Sequence, residues 1–177
     1  KFSQDWGHDT VVMDKWFSLH ATVERDDILS QLTLLQAHPM FSIENPNKVR
    51  ALIGSFAFFK RDDILSQLTL LQAHPMFSIE NPNKVRALIG SFAFFNVCGF
   101  HATDGSGYEY LTNYLMKLDS VNAQVAARII TPLTQWQLHI PERQALMVKQ
   151  LRRLLDHRGL SKDLFEKVSK SILQFEE

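Results

Sequence analysis

Residues 25–59 read RDDILSQLTLLQAHPMFSIENPNKVRALIGSFAFF, and residues 61–95 repeat the same 35 letters without a substitution. Lys60 joins the copies, so the period is 36 residues. A period of that size marks helix pairs stacked side by side. One pair cannot bury its apolar face alone, and its neighbours supply the cover. The repeat therefore constrains the fold more than any other feature. Whatever covers the first copy must have a counterpart for the second.

Each copy reads as an αα-hairpin. Asp26 and Asp27 place negative charge in a first helical turn, where the macrodipole favours it. Ile28, Leu29, Leu32, Leu34 and Leu35 follow as a broad stripe expected to be buried. His38-Pro39 ends that helix, because the residue before proline is pushed out of the α region. Asn45-Pro46 opens the second helix, with Asn as N-cap and Pro at the first helical position. From there Val49, Leu52, Ile53, Phe56 and Phe59 share one face. The junction from Phe58 to Asp62 holds neither Gly nor Pro. Helix 46–59 either runs on into helix 62–74 or turns back at Lys60. A turn capped by Asp62 or Asp63 is expected, because a continuous rod would expose Phe and Leu side chains. The two copies, units 25–59 and 61–95, are expected to superimpose as adjacent hairpins of one helical-repeat domain spanning residues 1–177.

The flanks read the same way. Residues 4–20 carry Trp6, Val12, Met13, Trp16, Phe17 and Leu19 on a wide apolar face. Residues 96–100 read as a loop or broken turn. Asp104-Gly-Ser-Gly107 reads as a second turn, opening a helix with Tyr110, Leu111, Tyr114, Leu115 and Leu118. A helix over about 121–137 holds Pro132, which should kink or interrupt it. Pro141 opens another helix, with Leu146, Leu151, Leu154 and Leu155 inward and Gly159 just past its end. Ser161 caps the last, with Leu164, Phe165, Val168, Ile172 and Leu173 inward. No segment alternates as a half-buried strand would. The expected class is all-α: a right-handed α-solenoid of stacked antiparallel hairpins, about nine helices in all.

Charge and composition exclude several functions. Lys+Arg and Asp+Glu both number 19, so the net charge is zero. Nucleic acid and anionic membrane both call for a positive surplus, and neither is an expected partner. The single Cys98 excludes an intramolecular disulfide and a cysteine-based zinc site, and reads as a small buried residue. A helical zinc site needs ligands one turn apart. No two of the seven histidines are three or four residues apart. Consecutive aspartates at 26–27 and 62–63 diverge by about 100° on a helix and suit capping rather than acid–base work. Asp104-Gly-Ser-Gly107 lacks the lysine of a phosphate-cradling loop. No catalytic residue, metal or cofactor is therefore expected. Arg50 and Arg86, which follow the two Asn-Pro-Asn turns, are the candidates for a concave binding face that grips a carboxylate.

At VMDKWFSLHAT (12–22), NPNKVRALIGSFAFF (81–95) and FHATDGSGYEYL (100–111) the chain resembles the C-terminal domain of bacterial aminopeptidase N. RIITPL (128–133) and SKDLFEKVSKSI (161–172) resemble it too. The resemblance implies an all-helical superhelix from a family of zinc exopeptidases that remove N-terminal residues from peptides. Their zinc motif and amine-binding glutamate lie in an earlier domain, and neither motif is present here. It further implies that the domain closes over the catalytic chamber, with Arg50 and Arg86 as chamber-facing candidates. Only one copy can take the family's place. The implied partner is the catalytic domain of the same chain, and the implied compartment is the cytoplasm.

The duplicated hairpin departs from the family pattern. It changes the length and curvature of a superhelix and can leave an apolar end that self-associates. Two copies without a difference point to a very recent duplication or to engineering, and engineering is expected. The chain opens on Lys1 and reads as a piece of something longer. The expected function is that of a non-catalytic engineered scaffold, not an enzyme. A peptide- or protein-binding helical module is the alternative.

Overall fold

A computed structural model of the chain describes residues 2–22, 33–55 and 61–173. The expected Asp26, Asp27, Ile28, Leu29, Leu32, Phe56, Phe59 and the Lys60 junction lie outside the described residues. Among those residues every regular element is helical. In chain order they are α1 (Phe2–Trp6), α2 (Thr10–Thr22), α3 (Pro46–Ser55) and α4 (Arg61–Gln72). A rod follows in three pieces: α5 (Pro82–Val85), one π-helical turn (Arg86–Gly90) and α6 (Ser91–Phe95). Then come α7 (Val97–Phe100), α8 (Ser106–Val121), α9 (Ala123–Ile129), α10 (Thr131–Thr134) and a 3-10 turn (Trp136–Leu138). The last two are α11 (Pro141–Leu155) and α12 (Lys162–Leu173). One apolar core runs without a break from Met13 to Val168.

The first expected helix is broken. Asp9 caps α2: its Oδ1 accepts the amides of Val11 at 3.0 Å and Val12 at 3.1 Å. That cap separates α1 from α2 across Gly7 and His8. Of the expected stripe only Met13 and Phe17 are fully buried, while Trp6 and Leu19 are exposed. An Asx cap satisfies amides that a helix start would otherwise leave bare, and here it outweighs the apolar periodicity.

Among the described residues, the turn and the second helix start use the same bonds in both copies. Asn45 Oδ1 accepts from the amides of Asn47 and Lys48, and Asn81 Oδ1 from those of Asn83 and Lys84. Lys48 Nζ donates to the Met40 carbonyl at 2.5 Å, and Lys84 Nζ to that of Met76 at 2.6 Å. The turns at His38 and His74 match likewise, each ring Nδ1 accepting an amide two residues on. In the second copy α4 packs back on the π turn, which completes a hairpin. Helix α3 lies between α2 on one side and the π turn and α6 on the other, so equivalent helices stand next to each other.

One difference between the copies is decisive for how the fold is specified. Residues 46–55 are α-helical throughout, whereas the identical letters at 82–91 contain the π turn. Local propensity is the same in both, so the neighbours choose. Ala51 is half-buried beside α2; Ala87 is fully buried in a rod that packs on α3 and α9.

Past the repeat, residues 96–100 form a short helix rather than a loop. Buried Asn96 caps it, accepting the Gly99 amide at 2.8 Å and donating to the Ile53 carbonyl at 3.4 Å. Gly105 has φ of 76°, and the Asp104 carboxylate accepts the Ser106 amide, so the expected turn opens α8. Pro132 interrupts the expected 121–137 helix, which becomes α9, α10 and the 3-10 turn. Trp136 is buried, and its Nε1 donates to Ser171 Oγ at 3.0 Å. Ser161 caps α12, accepting the Leu164 amide, while its own amide and hydroxyl both donate to the carboxylate of Asp119. Three residues expected to face inward, Leu34, Phe165 and Leu173, are exposed, because each points away from the contact face of its helix.

Candidate functional site

Arg50 and Arg86 come from equivalent first turns, and each is held the same way. Arg50 Nη1 donates to Asn47 Oδ1 at 3.2 Å, and Arg86 Nη1 to Asn83 Oδ1 at 3.3 Å. The Asn-Pro-Asn turn thus both starts the helix and steers the guanidinium three residues later. Their surroundings differ. Arg50 lines an open groove of about 750 Å³ between α2 and α3, together with Asp14, Lys15, Leu19 and Asn47. Arg86 does not line that groove, so the two candidates do not build one site there.

The groove beside Arg50 carries recognition chemistry. Asp14 is engaged already: its carboxylate accepts from Asn45 Nδ2 at 3.3 Å and Asn47 Nδ2 at 3.2 Å, and it approaches Lys48 Nζ at 3.8 Å. Arg50 and Lys15 remain exposed as two cations flanking Leu19 and Val11. That arrangement suits a carboxylate-bearing, partly apolar surface.

Other sequence candidates resolve as structure. Among the described residues no group of three or more His, Cys, Asp or Glu side chains gathers where a metal ion could sit. Cys98 is exposed, not buried as expected: Asn96 aims the α7 backbone so that Gly99 and Phe100 point inward and Cys98 outward. The side chains of Asp62 and Asp63 lie outside the described residues.

Sequence spacing missed one cluster. His101 and His139 lie with ring centroids 4.5 Å apart and tilted by 40°, and His101 Nδ1 shares a 2.8 Å hydrogen bond with the hydroxyl of buried Tyr108. Burial, then the nearby His139 and Arg143, push the His101 pKa down to about 4. Burial also raises that of Tyr108, against the pull of Arg143. Both groups are therefore neutral near pH 7, and the pair fixes the turn before α8. No spacing rule joins residues 38 apart in sequence. The flanking Gly105 turn and Pro141 were the only local hints that the two loops meet. Among the described residues, no helix is long and apolar enough to cross a membrane.

Known proteins place this geometry. The family model described as "Domain of unknown function (DUF3458_C) ARM repeats" matches residues 1–61 and again 57–173. Aminopeptidase N of Haemophilus influenzae is 40% identical over 97% of this chain, and aminopeptidase N of Escherichia coli is 34% identical over the same share. The chain spans only 16% of the length of either relative. A crystal structure of Legionella pneumophila aminopeptidase A in complex with aspartic acid is similar over 98% of this chain and 20% of that one, at 25% identity and a TM-score of 0.78.

Proposed function

Because the chain belongs to the DUF3458_C family of ARM-repeat domains and corresponds to the C-terminal helical domain of aminopeptidase N, we propose that it is a non-catalytic helical scaffold lengthened by copying one hairpin. The observation that carries this reading is the perfect identity of residues 25–59 and 61–95 in a chain that is 40% identical to one relative. Inherited repeats drift first at exposed positions, since only the core is constrained. Leu34 and Leu70 are both exposed and still identical. The copying is thus later than the divergence of the family, and deliberate engineering is the reading that a perfect copy supports. In the setting of a whole aminopeptidase N, the cytoplasmic partner would be the catalytic domain of the same chain, met through the Arg50 face. Isolated, the exposed Phe94, Phe95 and Val97 favour self-association.

An aminoacyl p-nitroanilide assay, run with added zinc and with chelator, tests the first half of the proposal. The two traces should coincide; zinc-dependent turnover would overturn the non-catalytic reading. Deleting residues 25–60 tests the second half, because Arg61 then follows Glu24 as Arg25 did. The shortened chain should melt cooperatively. A chain that fails to fold would mean that the hairpins are not interchangeable rungs.

A further inference from the structure

The turn between the two helices of each hairpin has one sequence and two environments, and only one environment is closed. In the first copy Ile43 is buried and Glu44 meets Lys84 Nζ at 3.3 Å. In the second, Ile79 is only half-buried, and Glu80 lines an open groove of about 510 Å³ against α8. Lys117 of α8 lines the same groove, and no ion pair joins it to Glu80 among the described residues. Tyr114 also lines it. This tyrosine is 5% exposed, and its hydroxyl has no hydrogen-bond partner. Native proteins rarely leave a buried hydroxyl unpaired, and such a group asks for an occupant. Its neighbour Tyr110, one helical turn earlier, accepts a hydrogen bond from Gln72, so the second copy's amide is already spent.

We propose that this groove binds a small zwitterion, an α-amino acid or dipeptide, with its carboxylate on the Tyr114 hydroxyl and Lys117 and its ammonium on Glu80. Phe77 and Ile79 supply an apolar wall for its side chain. The volume lies in the range of about 300–1,000 Å³ typical of small-molecule sites. A ligand of one charge would meet one complementary group and one repelling group; a zwitterion meets two complementary ones. Burial raises the Tyr114 pKa, so the hydroxyl keeps its proton and donates to a carboxylate.

Calorimetric titration of the 177-residue chain with leucyl-leucine tests the site. Saturable heat is expected, with affinity at least about tenfold weaker for the N-acetylated dipeptide. Glu80→Gln and Tyr114→Phe should each weaken binding about fivefold or more, while Glu44→Gln, the same residue in the closed turn, should leave it unchanged. Tyr114→Phe removes an unpaired hydroxyl and should not lower the melting temperature, so lost binding there cannot be lost folding. Absence of saturable heat up to millimolar dipeptide would overturn the proposal. So would wild-type binding by Tyr114→Phe and Glu80→Gln, or an equal loss in Glu44→Gln.

Discussion

Lys84 reaches Glu44 across the boundary between two identical segments, Nζ to Oε1 at 3.3 Å, and one period earlier Lys48 approaches Asp14 at 3.8 Å. The lysine and its carbonyl partner are supplied by the copied sequence. The acid comes from whatever precedes it: helix α2 for the first copy, the first copy's own turn for the second. A stack can accept an extra rung when its docking contact needs only a carboxylate near that place, not one particular neighbour.

The two lysines should not be worth the same. Lys48 is 5% exposed, faces an acid that is 21% exposed, and lies 5.3 Å from the Phe17 ring centroid. Lys84 is 13% exposed, and Glu44 is 53% exposed. Hydrogen bonds to charged groups contribute about 1.5–3 kcal/mol when water is excluded, and exposed ion pairs about 0–1 kcal/mol. Lys48→Met should therefore destabilise by about 2 kcal/mol, and Lys84→Met by about 1 kcal/mol. Urea midpoints of the two variants check the order, and a reversed order would contradict the packing described.

Leu68 and Leu70 lie two residues apart on α4 and separate burial from composition. Leu68 is fully buried and Leu70 is 63% exposed. Leu68→Ala should cost about 2–5 kcal/mol through lost transfer energy and a residual cavity. Leu70→Ala should stay within about 0.5 kcal/mol of the parent. A neutral Leu68→Ala in thermal melts would mean that the second copy is not packed into the core.

Much of this fold was legible because its punctuation is local. Asn45-Pro46 and Asn81-Pro82 announce helix starts, and both asparagines do cap. Pro132 does break its helix, and Ser161 does cap the last one. What stayed hidden depends on which segments meet. The Asp9 cap competes with an apolar stripe, and sequence alone does not say which wins. The π turn at 86–90 has no local signal at all, since the same letters at 50–54 are α-helical. The candidate site was half legible. Arg50 does line a groove, but its helix partner α2 is distant in sequence, and Arg86, chosen on identical grounds, does not line that groove. The Tyr114 groove is defined by a contrast between copies that only the surroundings create.

Two glycines should respond in opposite directions. A Cβ on Gly107 would lie 2.4 Å from the carbonyl oxygens of both Gly99 and Phe100, which are backbone atoms that cannot swing away. Gly107→Ala should destabilise by about 1–3 kcal/mol, as overpacking does. A Cβ on Gly90 would meet only Arg86 Cβ at 3.9 Å, an ordinary contact, within a continuous helical rod. Gly90→Ala should stabilise by about 0.5–1 kcal/mol by restricting the unfolded chain. Thermal melts of both variants check the signs. Stabilisation by Gly107→Ala would mean that α7 and α8 do not cross as closely as described.

Acid should weaken the fold through His101. Its ring is half-buried, bonded to the Tyr108 hydroxyl, close to the tilted ring of His139 and influenced by Arg143, and its pKa is pushed down to about 4 from 6.5. In the unfolded chain the imidazole takes a proton as pH falls through 6.5, while the folded ring stays neutral until about 4. Between those values the unfolded state binds more protons, so stability rises with pH. The contribution is fully present above the unfolded value, is lost as pH falls through the window, and is flat below it. Because the ring is half open to water, screening reduces the expected loss to about 1–2 kcal/mol. Urea midpoints at several pH values between 7 and 4 should slope downward for the parent and less steeply for His101→Gln, which cannot take the proton. Parallel slopes in the two proteins would show that this histidine is not held neutral by its neighbours.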